Sequence, residues 1–209
     1  MHHMRRGSRH GVLRLLANLV GAAGAAYFAY VTIQSYFETH RPIGILFFAE
    51  QAVVVVVYLI RRPASVVTRR TRDWMLAFSG TFAPILLRPN GAHFGWGLSS
   101  GFILQLVGVV ISLWSLGTLG RSFGFAAADR GVVSKGPYAI VRHPVYASYV
   151  LLQTGYFLQS ISLRNALVVV LATASNIGRA RAEERVLRLK PEYAAYRRRV
   201  RWALVPGVW

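Results

Sequence analysis

The chain has 209 residues, 54% hydrophobic and 15% charged, with a mean hydropathy of +0.39. That is too apolar for an ordinary soluble domain and points to an integral membrane protein. The formal net charge of +18 would suit nucleic acid, but the basic residues punctuate apolar spans and form no RNA- or DNA-binding motif, so no nucleic-acid partner is expected. The absence of cysteine excludes disulfides, cysteine-based metal sites and a cysteine nucleophile, and no other metal-ligand spacing occurs.

Six apolar segments follow in chain order, at 12–34, 43–60, 74–88, 98–120, 144–160 and 162–178. They predict an all-α fold, a polytopic helical membrane bundle with about six spans. The third, fifth and sixth are shorter than the usual span of about 20 residues. The basic N-terminus, through His10, leads into the first segment without a clear cleavage site and reads as the start of an anchor. Within that segment, Ala17, Gly21, Ala25 and Ala29 recur at four-residue spacing, a face suited to close helix packing, within the bundle in preference to a dimer. Glu50 and Gln51 interrupt the second segment. A carboxyl there is a candidate for the substrate path or a group bonded to a neighbouring helix. Gly95, Gly97 and Gly101 open the fourth segment without matching G-x-G-x-x-G and read as a flexible turn.

The fifth and sixth segments are joined only by residues around Ser160–Ser162 and predict a tight helical hairpin. Twenty-two of the 25 Lys and Arg residues fall at the N-terminus, between segments two and three, between four and five, or after six. Arg41, Arg88 and Arg164 alone lie on the other side. The positive-inside rule then puts both termini in the cytoplasm.

Two polar clusters lie on that side. The first is Gly136-Pro137-Tyr138-Ala139-Ile140-Val141-Arg142-His143-Pro144-Val145-Tyr146. Pro144 suits a first helical turn, where its missing N–H is no loss, so a helix begins there with free N–H groups beside Arg142 and His143. That combination suits a carboxylate or phosphate. The second cluster follows segment six: Arg179, Arg181, Glu183 and Glu184, with two of the chain's seven acidic residues adjacent. Neighbours on a helix point about 100° apart, so one glutamate can face a pocket while the other faces arginines. The hairpin would bring both back to His143. Tyr146 and Tyr149 are one turn apart and can line the same space, whereas Tyr193 and Tyr196 read as docking the terminal basic segment.

With these residues placed, the C-terminal half resembles the isoprenylcysteine carboxyl methyltransferases and their phospholipid methyltransferase relatives. The resemblance spans residues 117–209: Leu119-Gly120-Arg121-Ser122-Phe123, the Gly-Pro-Tyr and Arg-His-Pro-x-Tyr runs, Glu183-Glu184 with Leu187, Tyr193, Tyr196 and Pro206-Gly207. Residues 1–116 match only as generic membrane helices of the same integrated domain. Two departures stand out: Leu189-Lys190-Pro191 replaces a usual Phe-Gly stretch, and Ser148 stands where glycine is common. The resemblance implies a membrane methyltransferase using S-adenosylmethionine in a cytosol-facing pocket under the C-terminal segment. Tyr138, Val141, Arg142, His143, Pro144, Tyr146, Glu183 and Glu184 would hold the cofactor, with Arg142, Glu183 and Glu184 as catalytic candidates. The methyl acceptor would be lipophilic and enter from the bilayer. The first expectation is the carboxylate of a prenylated cysteine or similar lipid, with a phospholipid amine as alternative. An NADPH-dependent sterol-type reductase and a non-catalytic scaffold are the competing classes.

Overall fold

A computed structural model describes residues 2–40, 43–89, 91–92, 94–188 and 190–208, without the side chains of 2–14, 17, 35 and 39. Arg41 and Leu189, and the side chains of Arg14 and Ala17, therefore lie outside the description. The described chain is 74% helical, with seven α-helices. These are α1 (His2–Thr39), α2 (Ile43–Ile60), α3 (Thr71–Phe82), α4 (Gly95–Leu119), α5 (Pro144–Gln159), α6 (Leu163–Leu187) and α7 (Pro191–Arg199). A two-residue ribbon pairs β1 (Val66–Val67) antiparallel to β2 (Ala128–Asp129).

Two helical stretches, Ile43–Ile60 and Gly95–Ser122, are long and apolar enough to cross a membrane. At 1.5 Å per residue, α5 reaches about 24 Å and α3 about 18 Å, against a hydrocarbon thickness of about 30 Å. The third apolar segment is cut short because Pro84 cannot continue the hydrogen-bond ladder, and Ala83–Leu86 tightens into a 3₁₀ turn.

Helix α4 packs chiefly on α5, α1 on α2 and α3 on α6, while α2 reaches α4. On α1, Ala25 and Ala29 are buried, and a side chain at Gly21 would collide with the Tyr58 ring, so the small-residue face packs on α2. The glycines opening α4 correct the expectation of a flexible turn. They are helical, and at Gly97 and Gly101 an added Cβ would run into the Leu158 and Gly155 carbonyls of α5. They serve close helix approach, with Gly155 reciprocating across the seam.

The α5–α6 hairpin forms as expected, and its hydrogen bonds explain why. The Ser162 hydroxyl caps α6 by accepting from the Asn165 N–H at 3.2 Å. Fully buried Asn165 donates to the Arg88 and Ser160 carbonyls at 2.8 and 2.7 Å and accepts from the Arg88 N–H at 3.1 Å. This network fixes the far turn, and α6 then continues past its apolar part to Leu187.

Candidate functional site

Helix α5 starts at Pro144 with His143 as its N-cap residue. The two residues before it are tied to the C-terminal segment. The Arg142 and His143 N–H groups donate to the Trp202 and Ala203 carbonyls at 2.9 and 2.8 Å. The Arg142 guanidinium adds a 3.0 Å bond to the Val200 carbonyl, a bond to the Arg201 carbonyl, and a 2.7 Å contact from Nε to Glu184 Oε1. Arg142 thus clasps the C-terminal segment to α6 through its Nε and Nη1 donors.

Across the hairpin, Glu183 and Glu184 bracket His143. Nδ1 lies 3.6 Å from Glu183 Oε2 and Nε2 lies 3.4 Å from Glu184 Oε1. The Tyr146 hydroxyl donates to Glu183, and the Tyr146 ring stacks on His143 with centroids 5.9 Å apart. The two glutamates divide as helical geometry requires: Glu184 meets Arg142, Arg188 and Arg197, while Glu183 meets Tyr146 and His143.

The electrostatics follow. Burial disfavours charge on His143, but hydrogen bonds and charge from both glutamates outweigh it and raise its pKa above the usual 6.5. Burial likewise opposes ionisation of Glu184, yet His143 and Arg142 draw its pKa down from 4.5 to about 2. Glu183 is held below its usual value, against burial, mainly by His143 and then by Tyr146 and Arg179. The arrangement favours the protonated form of the His143 imidazole, set between two carboxylates.

Of the other expected residues, Pro144 is fully buried, and Val141 is a buried wall residue whose N–H bonds the Pro137 carbonyl at 3.2 Å. Tyr138 is buried in a 3₁₀ turn (Gly136–Ala139), its carbonyl accepting a 2.7 Å bond from the Tyr196 hydroxyl. Tyr193 and Tyr196 are 2% and 5% exposed, so α7 docks through both. Ser148, where glycine is common, turns its hydroxyl back to the Val145 carbonyl at 2.7 Å and is fully buried.

Arg179, which the sequence places in the second polar cluster without a contact to the cofactor, lies beside Tyr146 in the structure. It is buried, stacked over the Tyr146 ring at 4.9 Å, and donates to the Phe125 carbonyl at 3.0 Å. Among the described residues its Nε has no hydrogen-bond partner, nor has the Asn176 Nδ2. The signal in the sequence was its i,i+4 spacing from Glu183. Glu50, 3% exposed, accepts from the Ser112 hydroxyl of α4, which is the helix-bonded arrangement anticipated for it. Among the described residues no group of His, Cys, Asp and Glu side chains is placed to hold a metal.

Residues 96–190, nearly all of α4 with α5 and α6, match the family model described as phospholipid methyltransferase. The matched segment contains His143 and both glutamates. Through this segment, somewhat under half of its length, the chain is similar to membrane methyltransferases of the phospholipid methyltransferase kind. No curated protein matches the chain.

Proposed function

We propose that this protein is a multi-pass membrane methyltransferase that uses S-adenosylmethionine and methylates the polar end of a lipophilic acceptor arriving from the bilayer. The observation that carries the reading is the pairing, beside one tyrosine, of opposite charges with spare capacity. Glu183 keeps a carboxylate 26% exposed, and Arg179 keeps a buried Nε–H with no partner among the described residues. A buried donor without a partner costs roughly 1–3 kcal/mol, which a bound carboxylate would relieve.

The donor set fits the amino-acid end of the cofactor. Arg179, with Asn176, would donate to its carboxylate, and Glu183 would accept from its ammonium. When bound, the cofactor supplies an electrophilic methyl group on sulfur. The chain's residues bind and orient. Tyr146 and His143 hold Glu183 in place, Arg142 holds Glu184 and closes the C-terminal segment over the site, and Tyr138, Val141 and Pro144 form a dry wall. Such positioning and water exclusion are what an in-line displacement needs.

A carboxylate acceptor, such as a prenylated cysteine, needs no general base. A phospholipid amine, the second reading, is favoured by the family description and needs one. Of the two glutamates Glu183 is then the more accessible candidate, its side chain being 26% exposed against 7% for Glu184. The layout that accompanies this reading has six apolar segments and the site on the cytoplasmic side, supported by the distribution of 25 basic residues.

Calorimetric titration of the purified protein in nanodiscs with S-adenosylhomocysteine tests it. Saturable binding is expected, weakened at least about tenfold, or about 1.4 kcal/mol, in Glu183→Gln and His143→Ala. A folded protein that binds NADPH and ignores S-adenosylhomocysteine would make it a reductase. Binding of neither would make it a scaffold.

A further inference from the structure

Arg181, Arg185 and Arg188 recur on α6 at i, i+4 and i+7 and so share one helix face. Like charges at that spacing repel, so the stripe calls for anions. Arg197 of α7 and Arg142 close around it, and with Glu184 these five arginines line an open cleft of about 380 Å³. Two carboxylates reach the set. Asp73 approaches Arg185 at 3.4 Å, while Glu184 approaches Arg188 at 3.4 Å and Arg197 at 4.0 Å. Positive charge remains in excess, and the side chains of Arg185, Arg188 and Arg197 are 40%, 55% and 46% exposed.

Glu184 separates this cleft from the inner clasp. Its Oε1 faces Arg142 and His143, and its Oε2 faces Arg188 and Arg197. Next to the cleft, the C-terminal segment that binds Arg142 exposes Trp202, Val205 and Val208, and Ile140 is exposed nearby in the chain. Tryptophan and aliphatic surface beside cations is the composition of a membrane–water interface. Guanidinium groups match phosphate oxygens in bidentate geometry, and juxtamembrane cations are attracted to anionic leaflets.

We infer that the arginine cleft binds the phosphate group of an anionic phospholipid at the membrane surface, with Arg181, Arg185, Arg188 and Arg197 as donors. The inference rests on the membrane reading above but not on the methyl-transfer chemistry. A headgroup that carries its own cation, such as choline, is repelled by the excess of arginines, so the cleft distinguishes anionic from zwitterionic lipids. A phosphate there bonds Arg188 and Arg197 in competition with Glu184 Oε2, leaving the Oε1 contacts to Arg142 and His143 in place.

The test is calorimetric titration of the full chain in detergent with dioctanoyl-phosphatidylglycerol, dioctanoyl-phosphatidylcholine and inorganic phosphate. The Arg181→Gln/Arg188→Gln variant is compared with Arg69→Gln/Arg70→Gln, whose arginines are exposed elsewhere. Phosphatidylglycerol should bind saturably and at least about tenfold more tightly than phosphatidylcholine or inorganic phosphate. Affinity should fall about fivefold for each guanidinium removed from the cleft, about twenty-five-fold in the double variant, and stay unchanged in the control. If the double variant does not fold, Arg181→Gln alone should show the fivefold loss. Equal loss in cleft and control variants, or no preference for the anionic lipid, overturns the inference. Inorganic phosphate binding as tightly as the lipid assigns the cleft to a soluble phosphate instead. Displacement of the lipid by S-adenosylhomocysteine makes it part of the cofactor site. Lipid binding by a protein that ignores S-adenosylhomocysteine sinks the methyltransferase reading and leaves this one standing.

Discussion

Replacing Glu184 by glutamine removes one negative charge from the centre of the clasp while keeping its shape. Glu184 accepts from Arg142 Nε at 2.7 Å and lies 3.4 Å from both His143 Nε2 and Arg188 Nη2. At about 1.4 kcal/mol per pKa unit, a carboxyl drawn from 4.5 to about 2 contributes roughly 3 kcal/mol at neutral pH. Solvent screening on the side of Arg188 and Arg197 trims this to about 2 kcal/mol. For a chain of this size, each kcal/mol moves Tm by about 2–4 °C, so Glu184→Gln should melt about 4–8 °C below wild type at pH 7.

The pH dependence has a definite sign. Because the folded-state pKa of Glu184 is depressed, its stabilisation is complete above 4.5 and is lost as pH falls toward 2. The gap between wild type and Glu184→Gln should therefore hold from pH 7 to pH 5 and narrow below 4.5. His143 behaves oppositely. Its raised pKa gives stability that is complete below 6.5 and is lost as pH rises through the folded value. The variant should lose part of that alkaline decline, since one of the two bracketing carboxylates is gone. Circular dichroism melts in detergent across this pH range are the assay, with Arg142→Gln completing a double-mutant cycle. A neutral-pH gap under about 2 °C, a gap indifferent to pH, or no coupling between positions 142 and 184 would refute the electrostatic account of the clasp.

Two further outcomes follow from packing. Gly101→Val should destabilise by about 1–3 kcal/mol or prevent folding, because its side chain would run into the Gly155 carbonyl and Gln159. Gly117→Ala, with no heavy atom within 4 Å of the added carbon, is the control and should melt like wild type. Tyr196→Phe removes the 2.7 Å bond to the Tyr138 carbonyl and should cost about 1 kcal/mol by the same melts, with faster amide exchange in residues 136–141 as a local readout.

Much of the layout was legible because the signals are local. The apolar run at 43–60 coincides with α2, Pro144 marks the start of α5, and the short Ser160–Ser162 link dictates the hairpin that returns Glu183 and Glu184 to His143. The glycines of α4 misled because a glycine cluster reads the same whether it bends a chain or admits another helix. Gly155, which decides between the two, lies more than fifty residues away. Arg179 was legible as a member of the second polar cluster, but not as a buried group. Its burial is decided by Phe125 and Tyr146, which come from other parts of the chain. The fate of Arg142 was hidden more deeply, since two of its partners are the backbone carbonyls of Val200 and Arg201, which no side-chain pattern announces.

The disposition of the seven acidic residues gives the site its logic. Glu50, Asp73, Asp129 and Glu184 are 3%, 3%, 4% and 5% exposed and the Glu183 side chain 26%, whereas Glu38 and Glu192 are exposed. In a chain at net charge +18, three of these buried carboxylates are internal counter-charges that tie separate elements together. Asp73 joins α3 to α6 through Arg185, and Asp129 joins the ribbon to Lys190 before α7. Glu184 joins α6 to the start of α5 through Arg142 and to α7 through Arg197. Of the two glutamates in the site, Glu183 is the more exposed, and Arg179, one helical turn before it, has an Nε without a hydrogen-bond partner among the described residues. A partly open carboxylate near a cation with an unused donor supports the proposed binding there of a group that carries both charges.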